Sequence, residues 1–187
     1  MNAPSGKLAV DPVHVADTIA SWLDALLTAF GDRPCVEFEG QHLTYRELHD
    51  DSAKCAAGLL ARGVGKGTRV GLLFGNGPLW VRWWAALSRI GAVCVPVGTF
   101  LQPAGLARVI RHADLHGLIG ERHCLGRDFA ASLAEALPSL CDAEGNVLSL
   151  PEAPFLRWIA LDVPGSCRLE RSRHPPGERT MGRGGRR

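Results

Sequence analysis

A Gly-x-Gly pair between an apolar run and a helix-like segment is the spacing most suggestive of nucleotide chemistry. Gly75 and Gly77 stand where a dinucleotide-binding loop would begin, since glycines there let a phosphate approach the backbone. The third glycine of that pattern would fall at Trp80, and residues 93–100 hold no carboxylate to bind a ribose. The pattern therefore favours an ordinary strand-to-helix turn, with nucleotide binding as the minor alternative.

Histidines and a cysteine near the middle of the chain raise the question of a metal site. His112 and His116 are four residues apart, and His123 and Cys124 follow. Two such histidines face one metal only where a helix runs through both, and residues 114–117 have the composition of a helix end. We expect exposed or capping histidines here and no metal ligands.

Two stretches before residue 70 also invite a chemical reading. The glycines at positions 63, 65 and 67 precede a strand at the end of a helix, where no phosphate cradle forms, so a flexible connection is favoured. Asp50 and Asp51 follow a helix start, and solvent exposure is more typical of them than catalysis.

Aromatic and hydroxyl side chains complete the candidates. Trp80, Trp83 and Trp84 could line an acyl pocket, but an apolar stripe at helical spacing is more typical of core packing. Ser52 and Ser88 lack the Gly-x-Ser-x-Gly turn that presents a nucleophile. The sequence thus assigns no catalytic residue, no metal ligand and no cofactor-binding residue.

Composition and charge restrict the class of protein. The 187 residues are 46% apolar, which fits one folded domain. Residues 166–187 hold seven arginines and two glutamates, whereas residues 1–165 have a net charge of −3, so a nucleic-acid-binding domain is disfavoured. The six scattered cysteines and the absence of a signal peptide or a long apolar segment predict reduced thiols in a soluble, cytoplasmic protein.

The elements that would position any site alternate between helix and strand. Apolar spacing predicts helices near 17–30, from 45 to a stop at Gly63, from Pro78 to a stop at Gly91, and near 102–113 and 128–137. It predicts strands at 35–39, 42–44, 70–74, 93–97, 118–119 and 155–161. Thr44 and Glu47 form a capping box, and Gly63 is placed to end the helix that it opens. Strands 70–74 and 93–97 are apolar without alternation, which predicts a mostly parallel sheet covered by helices on both faces.

Several short motifs between residues 43 and 119 occur in the order and spacing of a known family. They are Leu-Thr-Tyr-Arg-Glu-Leu at 43–48, Gly-Val-Gly-Lys-Gly-Thr-Arg-Val at 63–70, Gly-Asn-Gly-Pro at 75–78 and Ile-Gly-Ala-Val-Cys-Val-Pro at 90–96. With them, the chain resembles the first subdomain of the AMP-forming acyl-CoA synthetases over roughly residues 17–161. The residues at 96–100, Pro-Val-Gly-Thr-Phe, are similar to those of the fatty-acyl-CoA ligase branch.

That resemblance implies a two-step ligase. ATP would activate a carboxylic acid as an acyl-adenylate with release of pyrophosphate, and the thiol of coenzyme A would then displace AMP, with magnesium offsetting phosphate charge. The family also needs a phosphate loop ending in Pro-Lys-Gly and a lysine on a C-terminal domain. Neither is found, because Lys66 is the last lysine of the sequence and Arg/Gly/Pro-rich residues follow position 165.

Two hypotheses follow for the whole chain. The first is a truncated ligase subdomain, inactive alone, whose end reflects a frameshift or a gene-model error. The second is a non-catalytic α/β binding or interaction module derived from that subdomain. In both, we expect a loose lead-in at 1–16, a domain at 17–165, a disordered tail at 166–187, and self-association through an apolar face left uncovered.

Overall fold

The computed structural model describes residues 16–143 and 147–162. Five helices were predicted, and the described residues contain five, together with a short 3-10 helix at Pro138–Asp142 that the sequence pattern did not indicate. The helices are α1 (Ile19–Phe30), α2 (Tyr45–Leu60), α3 (Pro78–Arg89), α4 (Pro103–His112) and α5 (Phe129–Ala136). The predicted tail at 166–187 lies outside the described residues, as do residues 1–15 of the lead-in.

The strands fall into one sheet and two hairpins. They are β1 (Pro34–Phe38), β2 (Gln41–Thr44), β3 (Arg69–Leu73), β4 (Val93–Pro96), β5 (Gly117–Gly120), β6 (His123–Cys124), β7 (Arg127–Asp128) and β8 (Trp158–Leu161). The sheet has the order β4-β3-β5-β8, and every neighbouring pair is parallel. The predicted parallel, helix-covered α/β fold is therefore confirmed.

Helices cover the two faces of this sheet with separate apolar clusters. Val70 and Leu72 of β3 point into a cluster with α2 and α3, whereas Leu73 points to the opposite cluster with α4 and α5. A strand with apolar side chains on both faces has no polar side to alternate with, which explains the unbroken apolar run at 70–74. A third cluster joins α1 and the β1–β2 hairpin to α2 and α3.

Strand β4 departs from the expectation of a strand buried on both faces. It lies at the edge of the sheet, and Val93 is 45% exposed. The amides of Val93 and Val97 donate to carbonyls of the β3 segment. Amides of the residues between them alternate in direction, so the backbone nitrogen of Pro96 faces away from β3, where no hydrogen bond to the sheet is required. Proline is tolerated in sheets mainly at such edges, and it leaves the edge less able to pair with another strand.

Local signals of the sequence are reproduced around α2. The Thr44 hydroxyl accepts from the Glu47 amide at 3.1 Å while the Glu47 carboxylate accepts from the Thr44 amide at 2.8 Å. Gly63 has φ +78°, and Val64, which is buried, donates its amide back to Leu59. The predicted capping box and helix stop are both confirmed.

Two side-chain expectations for this helix are wrong. Apolar spacing over 45–60 places Leu60 on the buried stripe of α2, yet it is 55% exposed, because Leu59 fills the cluster with α3 and the next residue along a helix points about 100° away. Cys55 is fully buried, and its sulfur is in a disulfide bond, contrary to the expected set of reduced thiols. A disulfide needs two sulfurs brought together in space, which spacing along the chain does not reveal.

A polar cluster joins the first three helices. Arg89 of α3 donates to the His49 carbonyl at 2.9 Å and to Ser52 Oγ at 3.0 Å, and His49 Nε2 lies 2.9 Å from Asp24 Oδ1 of α1. These bonds satisfy side chains at the helix interface, so the cluster is structural. Within the described part of the chain, no helix is long and apolar enough to cross a membrane.

Candidate functional site

The crevice between β3 and β5, at their carboxyl ends, is the place where this sheet topology favours a ligand. The chain leaves β3 for the edge strand β4 on one side and then crosses back to β5 on the other. The strands that follow β3 in the chain therefore lie on both sides of it, β4 on one side and β5 on the other. Open parallel sheets bind ligands at such switch points. The residues that meet there come from the turn after β3 and from the loop after β5.

The turn after β3 brings backbone amides into this crevice. Gly77, with φ +144°, precedes α3, whose first residue is Pro78 as predicted, and no side chain caps this helix start. The Gly75 amide donates to Glu121 Oε2 at 3.2 Å. A Cβ on Gly75 would lie 2.9 Å from Cys124 Sγ, so glycine is required by close approach of the neighbouring loop. A carboxylate of the chain itself thus occupies this turn.

The loop after β5 is held in place by its own backbone and by β8. Glu121 donates its amide to the Leu73 carbonyl at 3.1 Å, and the Arg122 amide donates to Asp162 Oδ1 at 2.8 Å. The thiol of Cys124 lies beside Glu121, and burial together with that carboxylate raises its pKa. Cys124 is therefore a protonated packing residue at neutral pH rather than a nucleophile.

Asp128 begins α5 next to this loop. Its Oδ1 accepts from the amides of Ala130 and Ala131 at 2.8 and 3.2 Å, which caps the helix. Burial acts to raise the pKa of Asp128, but these amides and the Arg122 guanidinium outweigh it and lower the pKa below its ordinary value. The carboxylates of Glu121, Asp128 and Asp162 are each engaged by backbone amides, so none is a free general base.

An apolar surface adjoins the crevice. Arg127 donates to the carbonyls of Thr99 and Leu101 at 2.8 and 2.7 Å, and this clamps the loop after β4 against the β6–β7 hairpin. Phe100, between the two carbonyls, is 79% exposed, and Leu125, in the hairpin turn, is 66% exposed. A rigid backbone that exposes two large apolar side chains is suited to contact with another apolar surface.

The hairpin is the feature of this site that the sequence interpretation missed. Its turn residues Leu125 and Gly126 have φ +51° and +74°, the left-handed pair of a tight two-residue hairpin turn. Gly126 was the available signal, but each strand has only two residues and too little alternation to be recognised.

The candidate metal residues do not come together. Helix α4 ends at His112, and Asp114 then adopts φ +48°, so His116 leads into β5 instead of continuing the helix face. His123 lies in β6, with Nε2 3.5 Å from Asp128 Oδ2. Across residues 16–143 and 147–162, no group of three His, Cys, Asp or Glu side chains is arranged to hold a metal ion. The magnesium implied by the resemblance has no fitting site among them, and we assign it no step.

The remaining candidates have structural positions. Trp83 is completely buried in the cluster between α2, α3 and the sheet, and Trp80 and Trp84 pack around it. Asp51 was expected to face solvent, but its Oδ2 lies 3.1 Å from Arg82 Nη2, because α3 packs against α2 at this position. Asp50 is exposed as expected.

Structural contacts also account for the remaining serine and glycine candidates. Ser52 donates to the His49 carbonyl at 3.0 Å, and no strained turn presents it or Ser88 as a nucleophile. The Gly67 amide donates to the Gly91 carbonyl at 2.9 Å, so this segment ties the start of β3 to the segment before β4.

Known proteins are similar in sequence to this chain. Residues 23–169 match the family of AMP-binding enzymes. Acyl-CoA ligase sidI of Aspergillus fumigatus is 32% identical over 142 residues, which cover 75% of this chain and 24% of sidI. Mitochondrial medium-chain acyl-CoA ligase ACSF2 of Mus musculus is 28% identical over 153 residues, which cover 80% of this chain and 25% of ACSF2.

A solved structure shares the fold. The anthranilate CoA ligase AuaEII, in complex with anthranoyl-AMP, superposes with a TM-score of 0.64 at 18% identity over 81% of this chain and 26% of AuaEII. The chain spans about a quarter of the length of these proteins. The match over residues 23–169, which include all four strands of the parallel sheet, shows that the chain belongs to the family of AMP-binding enzymes.

Proposed function

We propose that this chain is the first subdomain of an AMP-forming carboxylate–CoA ligase. In the whole ligase, a carboxylate oxygen attacks the α-phosphate of ATP and releases pyrophosphate, and the thiol of coenzyme A then forms the thioester and releases AMP. The observation that carries the proposal is the family match over residues 23–169, which contains all four strands of the parallel sheet. The acidic substrate is a fatty or other carboxylic acid, and the cytoplasm is the expected compartment.

In this proposal the chain provides a scaffold and a contact surface, while the rest of the ligase provides the reacting groups. The Arg127 clamp holds Phe100 and Leu125 exposed at the carboxyl edge of the sheet, where a further subdomain would bury them. The edge strand β4, with Val93 exposed, offers a second place for such a contact.

The chain alone is expected to lack adenylation activity. ATP chemistry needs positive charge and backbone amides around the phosphates, yet the sequence contains no Pro-Lys-Gly loop. The amide of Gly75, at the switch point, is already bonded to Glu121. ATP, magnesium and coenzyme A are thus ligands of the complete ligase in this proposal.

Exchange of labelled pyrophosphate into ATP tests the predicted inactivity. The full 187-residue chain is assayed with a panel of fatty and aromatic carboxylic acids, with intact sidI as the positive control. We expect no acid-dependent exchange by the chain. Acid-dependent exchange above the enzyme-free rate would refute the view that the missing motifs are required.

A chimera tests whether the chain still works as a ligase subdomain. Residues 23–162 replace the matching N-terminal segment of sidI, and a second chimera carries Arg127→Ala, which removes the clamp on Thr99 and Leu101. We expect exchange by the first chimera and a reduced rate in the second. A first chimera that folds, as judged by circular dichroism, but has no activity would favour the alternative of a non-catalytic α/β module.

A further inference from the structure

A second surface, unrelated to the switch point, lies at the opposite edge of the sheet, where the parallel strands begin. The segments that lead into β3 and β5 meet there with the C-terminal half of α4. They form two adjoining depressions, each of about 360 Å3, that share Asp114. Both depressions are open to solvent, so charge rather than enclosure would hold a small ligand there.

Basic side chains dominate both depressions. Lys66, Arg69 and His116 line the first, and Arg108, Arg111 and His112 line the second. Asp114 is the one carboxylate among the described lining residues of either depression. The concentration of positive charge is local, since residues 1–165 as a whole have 14 basic and 17 acidic side chains.

Most of this charge is not neutralised within the described structure. No hydrogen bond or ion pair within residues 16–143 and 147–162 engages the Lys66 ammonium or the Arg108 guanidinium. Arg69 Nη1 is 3.5 Å from Asp114 Oδ2, and both side chains are about half exposed. Arg111 uses one nitrogen on the carbonyls of Pro151 and Glu152, at 3.3 and 3.4 Å. A guanidinium has five N–H donors, so Arg111 keeps others for a ligand.

The imidazole of His116 adds little to this positive charge at neutral pH. Burial, and after it the charge of the Arg157 guanidinium, lower its pKa. Lys66 and Arg69 are therefore the lining residues that give the first depression its positive charge at neutral pH.

We propose that this basic groove, formed by the two depressions around Asp114, binds a small polyphosphate such as inorganic pyrophosphate or the phosphate chain of a nucleotide. Guanidinium groups bind phosphate oxygens in pairs of charge-assisted hydrogen bonds, and the adjoining depressions accept two linked phosphates. The groove lies at the amino ends of the strands, so this binding is independent of the adenylation site in the proposed ligase.

Titration of the full chain with pyrophosphate at 50 mM NaCl tests the proposal, followed by calorimetry and by amide NMR shifts. The NMR readout is needed because the arginines at 166–187 are a second source of affinity. We expect saturable binding with shifts at residues 66–69 and 114–116. Shifts confined to 166–187, or no saturable binding, would overturn the proposal.

Three variants make the test specific. Lys66→Gln with Arg108→Gln removes one cation from each depression, and we expect weakening on the order of tenfold through lost charge-assisted hydrogen bonds. The control, Arg33→Gln with Lys54→Gln, removes the same charge from exposed positions remote from the groove, and should change affinity by less than about twofold, since distant charges are screened. Equal weakening by both pairs would show non-specific attraction and overturn the proposal.

Asp114→Asn supplies a change in the opposite direction. Asparagine fits the left-handed backbone of this position, φ +48°, so the fold should be retained. Removal of the negative charge between the depressions should strengthen binding of pyrophosphate severalfold. Unchanged or weaker binding by this variant would contradict the placement of the phosphates around Asp114.

Discussion

Gly117→Ala is expected to be among the most destabilising small substitutions in this chain. Gly117 of β5 pairs with Trp158 of β8, and a Cβ at position 117 would lie 2.2 Å from Trp158 Cζ2 and 2.3 Å from Cε2. Carbon atoms in contact sit about 3.5–4.0 Å apart, so the indole would have to move by more than an ångström.

The surroundings of Trp158 oppose that movement. The side chain is 9% exposed, belongs to the cluster of α2 and α3, and has the Arg62 guanidinium 5.6 Å from its ring centre. Overpacking of a filled core costs typically about 1–3 kcal/mol, and this case belongs at or above the upper end because the obstacle is a buried ring in a strand. A cost of about 3 kcal/mol raises the unfolded-to-folded ratio by roughly two orders of magnitude.

Urea denaturation followed by tryptophan fluorescence and far-ultraviolet circular dichroism measures the effect. The matched control is Gly65→Ala, because a Cβ there meets nothing within 4 Å and the backbone is not in the left-handed region. We expect the control to be neutral or slightly stabilising, through lower entropy of the unfolded chain. Equal denaturation midpoints for the two variants would refute the packing argument, and partial recovery in Gly117→Ala with Trp158→Leu would support it.

Three further outcomes test other parts of the structure. Thr44→Ala should cost about 1 kcal/mol in the same assay by removing the cap of α2, and a loss below about 0.3 kcal/mol would show that the box with Glu47 contributes little. The hydrogen bond from Arg46, and then its charge, lower the pKa of Asp32. The ionised Asp32 therefore stabilises the fold fully above the pKa that it has in the unfolded chain, and this stabilisation is lost as pH falls below about 4. In Asp32→Asn the free energy of unfolding should fall less steeply below that pH, and an unchanged slope would contradict this. Finally, light scattering should detect oligomers of the isolated chain, since exposed apolar side chains adjoin the open sheet edge, and a stable monomer at high concentration would argue against it.

Features encoded within a few residues were predictable without coordinates. The Thr44–Glu47 box and the Gly63–Val64 stop depend on hydrogen bonds that close over three to five residues, so their residue types are sufficient evidence. The unbroken apolar run at 70–74 indicated a buried parallel strand for a similarly local reason. Those periodicities, with motifs in a familiar order, were enough for the fold class and the family.

Strand order and side-chain convergence required the tertiary structure. Val93 and Pro96 lie at an edge of the sheet because β5 pairs with β3 and not with β4. No local pattern in the sequence specifies which strand β5 will pair with. The Gly75–Glu121 bond joins residues 46 positions apart, and the basic groove gathers side chains from segments that begin at residues 66, 108 and 114. Contacts of this kind depend on how elements stack, whereas propensity and periodicity act only along the chain.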